Sequence, residues 1–183
     1  MAAQKSGLPN LLVYQAGQCD PKKCTGHRLA RFKIAETLKE MRRIPREAIV
    51  LNPTADTAFS RADKVSLLQS GLVGLDCSWK QAEEIFNRSR YGIQRALPYL
   101  LAANPTNTYK PIKLSTAEAI ASALYIIGLE DAAERVISVF KWGHAFLTLN
   151  KEWLDAYASC SSSTEVVATQ QEIMENHQRD SNR

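Results

Sequence analysis

Three groups of residues in this chain have the types and spacing to do chemistry. The first closes an apolar run: Ser70-Gly71-Leu72-Val73-Gly74-Leu75 ends abruptly in Asp76, Cys77, Ser78 and Trp79. A short apolar run bounded by glycine reads as a buried strand, and open α/β sheets gather ligands at the carboxyl ends of their strands. Asp76 at such an end is either a proton acceptor or the cap of the next helix, and both readings stay open. The second group is Cys24-Thr25-Gly26 at the start of a predicted helix. The free N–H groups of a helix start suit a carboxylate or a phosphate, and Thr25 adds a hydroxyl; a threonine N-cap followed by glycine is the plainer meaning. The third group is basic. Pro21 to Arg46 holds nine Lys/Arg against two acids, so a chain of net charge +4 concentrates its basicity in one stretch. A local basic face fits a polyanion, most simply nucleic acid, with a merely solvated helix face as the alternative.

Several chemistries lack their residues. No Gly-x-Gly-x-x-Gly follows the first strand and no Walker loop is present, which argues against an ordinary dinucleotide site, a nucleoside triphosphatase and a glycine-rich methyltransferase loop. Cys19, Cys24 and His27 stand close together, but their spacing matches no common zinc pattern, so no metal is expected. His144 and His177 stand apart from any nucleophile, which leaves a Ser/His/Asp or Cys/His hydrolase without support. The longest greasy segment, Ala117 to Leu129, is interrupted by Ser122 and too short to span a bilayer. Four cysteines without a secretory signal favour reduced thiols and a cytoplasmic protein.

The elements that must position these groups follow from periodicity. With 183 residues, 45% of them hydrophobic, the chain can bury a real core. Leu11-Leu12-Val13-Tyr14 and Ala48-Ile49-Val50-Leu51 read as strands, as does the run before Asp76. His27 to about Arg43 reads as a helix with Leu29, Phe32, Ala35 and Leu38 facing the core and Arg28, Arg31, Lys39 and Arg42 outside. Ser60 and Asp63 predict a capped helix through Gln69, and another helix is expected from Trp79 to about Arg88. Strand, helix, strand, helix, strand predicts a mainly parallel sheet with helices on its faces. Beyond a loop at 95–105 the pattern turns helical: a capping box at Ser115-Thr116-Ala117-Glu118 opens a helix stopped by Gly128, and further helices are predicted over Glu130–Phe140 and Glu152–Ala158. The reading divides the chain into an α/β domain with a basic face over 1–95, a mainly helical domain over 96–160, and a polar, frayed tail over 161–183.

The segments also combine as single motifs do not. Asp20-Pro21-Lys22-Lys23-Cys24-Thr25-Gly26, Gly74-Leu75-Asp76-Cys77-Ser78-Trp79, Leu97-Pro98-Tyr99-Leu100-Leu101-Ala102-Ala103-Asn104-Pro105, Lys113-Leu114-Ser115-Thr116-Ala117-Glu118-Ala119 and Trp142-Gly143 closely resemble the small-subunit ribosomal RNA aminocarboxypropyltransferases, in order and spacing, over about residues 11 to 157. The resemblance implies a SPOUT-like, knotted α/β domain joined to a helical one. It implies a soluble enzyme that uses S-adenosylmethionine to transfer the 3-amino-3-carboxypropyl group, not the methyl, to a uridine-type base near the decoding site, an N1-methylpseudouridine in eukaryotes and many archaea.

Residue by residue, the resemblance implies that Thr25 and the backbone around Thr116 hold the methionine carboxylate. It places the ribose at the backbone of Leu75 and the adenine at the backbones of Leu97 and Ile112. Trp79 and Ala82 would enclose the S-methyl group, where an indole face also suits a sulfonium. Ile112 stands where some relatives carry an aromatic. Burying the methyl and presenting the methionine Cγ in line is what selects aminocarboxypropyl transfer, and Asp76 is the candidate acceptor for the imide proton. Lys22, Lys23, Arg28, Arg31, Arg42, Arg43 and Arg46 would then position small-subunit rRNA, or a pre-ribosomal subunit, by its phosphates while an unpaired base enters the pocket. A monomer is expected. The rival readings are a SPOUT-type RNA methyltransferase and a non-catalytic rRNA-binding assembly factor.

Overall fold

The computed structural model describes residues 8–17, 24–76, 84–86 and 90–181. Its centre is a five-stranded, all-parallel sheet. The strands are β1 (Leu11–Gln15), β2 (Glu36–Leu38), β3 (Ile49–Leu51), β4 (Leu72–Asp76) and β5 (Ile93–Arg95), in spatial order β2-β1-β4-β3-β5. β1, β3 and β4 are the three apolar runs expected as strands, and near-continuous apolar sequence is what a parallel strand covered on both faces requires. β4 lies between β1 and β3, with Tyr14 opposite Leu75, Gln15 opposite Asp76 and Leu51 opposite Gly74.

Strand alternation sorts the side chains onto two faces. Leu11, Val13, Ile49, Leu51 and Leu72 enter the larger core, which continues without a break into Ile120, Leu124, Phe146, Tyr157 and Val166 of the C-terminal helices. Leu12, Val50, Val73 and Leu75 face the other way and pack with Ile44, Ala48 and Phe86. Asp76, two residues beyond Gly74, therefore points to the side of the larger core, and Leu75 points away from it.

The helices are α1 (Thr25–Arg31), α2 (Lys64–Ser70), α3 (Thr116–Ile126), α4 (Glu130–Ile137), α5 (Gly143–Ser159) and α6 (Ser163–Ser181). Both predicted capping boxes form: Ser60 with Asp63 starts a 3₁₀ turn over Arg61–Asp63 that runs into α2, and Ser115 with Glu118 starts α3. α3 buries Ala117, Ile120, Ala121 and Leu124, the face expected from its periodicity, and Gly128 follows it at φ +81°. Of the helix expected from Trp79 to Arg88, only Glu84–Phe86 lies among the described residues, and it is helical.

Three expectations are corrected. The helix drawn from His27 to Arg43 stops at Arg31. Lys33 takes a left-handed φ of +57°, its N–H bonds to Ala30 O, and the Ile34 N–H reaches back to Leu29 O, so the helix end is closed and the chain turns out into edge strand β2. The apolar spacing at Leu29 and Ala35 fits a helix as well as a turn into a strand, and Phe32, assigned to the core, is 47% exposed. The second correction is β5, an unexpected strand that pairs with β3 and takes Arg95 out of the stretch read as a loop over 95–105. The third is the tail: Ser163–Ser181 is a helix, not a frayed segment. It docks through buried Val166, through Ser163 Oγ accepting from the Ala58 N–H, and through His177 Nδ1 sharing a hydrogen bond with the Tyr99 hydroxyl at 3.0 Å. A single apolar stripe plus polar anchors suffices to hold a sequence of good helix formers.

Candidate functional site

The carboxyl end of β4 is where separate elements meet. Cys24, not Thr25, caps α1: its Sγ accepts from the His27 N–H and donates to Asp76 Oδ2 at 2.6 Å. Thr116 at the start of α3 donates its hydroxyl to Asp76 Oδ1 at 3.1 Å. Thr25 joins the two helix starts directly, its Oγ1 accepting from the Ala117 N–H at 3.2 Å. Asp76 is 7% exposed, and its main-chain carbonyl accepts from the Ala16 N–H. The carboxylate is thus gripped from both oxygens by groups 52 and 40 residues away in sequence. Each oxygen has two lone pairs, so each keeps one direction open for a further donor.

This convergence depends on two glycines. A Cβ on Gly26 would stand 2.8 Å from Val13 Cγ1 and 3.0 Å from Asp76 Cγ, and one on Gly74 would stand 2.7 Å from Thr116 Cγ2. Both distances lie inside van der Waals contact, so only glycine lets α1 and α3 settle this closely on the sheet.

The helix starts carry free donors. The N–H groups of Thr25, Gly26 and Thr116 belong to first turns, which have no intrahelical acceptor, and no group among the described residues takes them. Three main-chain donors and the two threonine hydroxyls therefore belong to the two helix starts that bond to Asp76 through Cys24 and Thr116. The arrangement suits a ligand that carries its own carboxylate beside a group able to give up a proton.

A second pair of segments lies near β5. Ile112 donates its N–H to Leu100 O at 3.0 Å, and Leu101 bridges Pro111, so the stretch after Leu97 and the stretch holding Ile112 run side by side. Ile112 is 52% exposed at φ +65°, a strained setting for a β-branched residue. Its neighbours are fixed by side chains from three helices. Asn150 Oδ1 accepts from the Leu101 N–H while its amide donates to Leu101 O. Gln170 Oε1 accepts from the Tyr99 N–H, and the Tyr157 hydroxyl donates to Tyr99 O. Burial pushes the Tyr157 and Tyr99 hydroxyls above their ordinary range and keeps both neutral. Fully buried Glu118 accepts from the N–H groups of Ala103, Asn104 and Ser115 and from the Asn104 amide, so it is a structural cap and not a base.

On the face of the sheet that Leu75 occupies, a cleft of about 500 Å³ is lined by Tyr14, Glu40, Met41, Arg42, Ile85 and Tyr91. Its size lies in the range of small-molecule sites. Tyr14 is the register partner of Leu75, so the cleft flanks the Leu75 main chain. Arg28 and Arg31 are exposed on α1, and Arg42, Arg43 and Arg46 are exposed between β2 and β3, with Arg42 paired to Glu40. Lys22, Lys23, Trp79 and Ala82 lie outside the described residues. Sequence reasoning placed Cys24 at the helix start but gave the cap to Thr25, and it missed that the Cys24 thiol caps α1 and donates to Asp76.

The model described as "Ribosome biogenesis protein, C-terminal" matches residues 49–174, more than half the chain. A second, "Possible Fer4-like domain in RNase L inhibitor", matches residues 10–42. That span holds only two cysteines, Cys19 and Cys24, whereas an iron–sulfur cluster takes about four cysteine ligands, and Cys24 is engaged with Asp76, so the residues do not fit a cluster. The 16S rRNA aminocarboxypropyltransferase of Methanosarcina acetivorans is 49% identical over 162 residues, 87% of this chain and 91% of that protein. That of Methanocaldococcus jannaschii is 42% identical over 91% of this chain and 97% of its own. The structure of the SAM-dependent rRNA:acp-transferase Tsr3 from Vulcanisaeta distributa superposes with a TM-score of 0.81 at 37% identity, covering 91% of this chain and 96% of that one. With these matches across its length, and with two helix starts closed around Asp76, the chain belongs to the 16S rRNA aminocarboxypropyltransferase family.

Proposed function

We propose that this protein transfers the 3-amino-3-carboxypropyl group of S-adenosylmethionine to a uridine-type base of small-subunit rRNA, a pseudouridine or N1-methylpseudouridine, during ribosome maturation. The observation that carries the reading is that the two helix starts with untaken N–H groups at Thr25, Gly26 and Thr116 are joined to each other through Thr25 and to Asp76 through Cys24 and Thr116. When bound, S-adenosylmethionine supplies a sulfonium with an electrophilic Cγ. The first turns of α1 and α3 hold its carboxylate, with the Thr25 hydroxyl beside them. The Leu75 backbone holds the ribose, and the Leu97 and Ile112 backbones, locked by Asn150, Gln170 and Tyr157, hold the adenine. The strain at Ile112 fits that role, since unusual backbone geometry persists where the surroundings enforce it. Trp79 and Ala82 enclose the methyl group. Asp76 takes the imide proton as the nitrogen–carbon bond forms and methylthioadenosine departs.

The basic residues Lys22, Lys23, Arg28, Arg31, Arg42, Arg43 and Arg46 position the RNA. The α/β part over 1–95 supplies the acid and the basic face, and the part over 96–160 supplies the adenine loop. We place the protein in the cytoplasm as a monomer without metal; among the described residues no helix is long and apolar enough to cross a membrane. A SPOUT-like knot is part of this reading. Stretching the chain by its ends in a single-molecule trap should leave a residual shortening; a fully extended contour length removes the knot.

The function is tested by its by-product. Incubation with S-adenosylmethionine and small-subunit rRNA should release methylthioadenosine stoichiometrically with RNA labelling. Adenosylhomocysteine would instead assign a methyltransferase, and neither product would leave a binding role.

A further inference from the structure

Phe32 sits where a large apolar side chain has no structural reason to be. It follows the last residue of α1, is 47% exposed, and belongs to neither buried core. Its position is nonetheless firm: the Phe32 N–H bonds to Ala30 O and Arg28 O, and the closing turn at Lys33 and Ile34 holds the residue on the helix end. Two guanidiniums stand against the ring. Arg28 Cζ and Arg31 Cζ each lie 5.7 Å from its centroid. Arg28 is itself anchored, 5.3 Å from the ring centroid of buried Phe140, which stacks on Trp142 at 5.0 Å. These distances are in the range of cation–π attraction. An exposed aromatic face framed by two arginines is the composition with which proteins hold unpaired bases, the ring stacking on the base and the cations taking adjacent phosphates.

The position along the fold matters too. α1 begins at Thr25, inside the proposed transfer site, and at 1.5 Å per residue its seven residues set Phe32 about 10 Å away. That places the ring within a few nucleotides of a base bound at Asp76.

We propose that Phe32 is a stacking platform for an unpaired nucleobase flanking the acceptor, with Arg28 and Arg31 closing on the phosphates beside it. This rests on the reading of the protein as an rRNA-modifying enzyme. The platform gives that enzyme a means of selecting an unpaired loop over a duplex, since a stacked base must first leave its own helix.

The test uses the full chain and two RNA probes: a hairpin of the small-subunit rRNA with an unpaired, uridine-containing loop, and the blunt duplex of the same stem. Phe32→Ala should weaken hairpin binding by about 5- to 150-fold, the usual range for loss of one base–aromatic stack, and leave the duplex and the salt slope unchanged. Phe32→Trp should restore binding. Arg28→Gln should lower the salt slope by about 0.7, one phosphate contact on a single strand. Cofactor affinity measured by calorimetry reports folding, and if Phe32→Ala loses it, Phe32→Met, which keeps bulk without a ring, takes its place. Wild-type hairpin affinity in the ringless variant overturns the platform, as does an equal loss on hairpin and duplex. A wild type that binds the hairpin but releases no methylthioadenosine overturns the reaction and not the platform. A wild type that binds no RNA overturns both and leaves the Phe32 patch as a protein contact.

Discussion

Substituting Asp76 separates chemistry from architecture if two variants are compared. Asp76→Ala leaves the Thr116 hydroxyl without its acceptor at a position 7% exposed and takes from the Cys24 thiol one of its contacts. An unpaired buried donor costs about 1–3 kcal/mol, so the variant should lose about 1–3 kcal/mol, a sizeable part of a typical domain's stability. Asp76→Asn keeps the shape. Its amide oxygen still accepts from Thr116, and its amide nitrogen faces Cys24 Sγ, a weak acceptor, so the stability loss should stay near 1 kcal/mol. What the amide cannot do is take a proton. A positioned general base contributes about 10²- to 10⁴-fold, and the single-turnover rate of Asp76→Asn, with RNA and S-adenosylmethionine saturating, should fall by that factor. Cofactor affinity should change by less than about threefold, well under the 1.4 kcal/mol of a tenfold effect. The assay is quench-flow with methylthioadenosine quantified at each time point, beside calorimetry for binding and thermal melting for stability. An Asp76→Asn protein that transfers at the wild-type rate refutes the proton-acceptor role and leaves Asp76 as the post that ties α1 to α3.

Three further outcomes follow from the same geometry. Gly74→Ala sets a Cβ 2.7 Å from Thr116 Cγ2 and 3.2 Å from Ile120 Cδ1; overpacking of this kind costs about 1–3 kcal/mol, a Tm fall of about 2–12 °C at this chain length, and cofactor affinity should drop with it because the first turn of α3 is pushed off β4. A melting curve and binding isotherm that both match wild type would show that α3 yields freely. Asn150→Ala removes the side chain that pairs both the Leu101 N–H and the Leu101 carbonyl at a fully buried position and should raise the KM for S-adenosylmethionine with kcat nearly kept; a fall in kcat at constant KM would detach the 97–101 loop from cofactor binding. Reversing Arg28 and Arg31 together to Glu should weaken RNA binding and flatten its salt dependence, and an unaltered slope in filter-binding titrations from low to high salt would show that α1 is merely solvated.

The two capping boxes were legible because each is a contract between residues three apart: Ser60 with Asp63 and Ser115 with Glu118 can be read without knowing where the helix goes. β1, β3 and β4 were legible because a strand covered on both faces must be apolar throughout. β2 and β5 were not, being three residues long and half-exposed, so that only their pairing to β1 and β3 makes them strands. α6 was misjudged because its docking rests on one buried valine and polar anchors to Tyr99 and Ala58, partners far away in the chain.

Sequence by itself therefore determined the apolar strands, the helix starts, the basic stretch and, through five ordered motifs, the family. These are properties of residue type and short spacing, set by forces that act within a turn or along a strand. Tertiary structure alone decided that Cys24 and Thr116 would grip Asp76, that Gly26 and Gly74 would let two helix starts close around it, and that Phe32 would leave the core to stand between two arginines. Those outcomes depend on strand order: β4 enters between β1 and β3 and carries Asp76 to the point where both helices begin. No local signal encodes that order, because its free energy comes from burying both faces of the whole sheet at once.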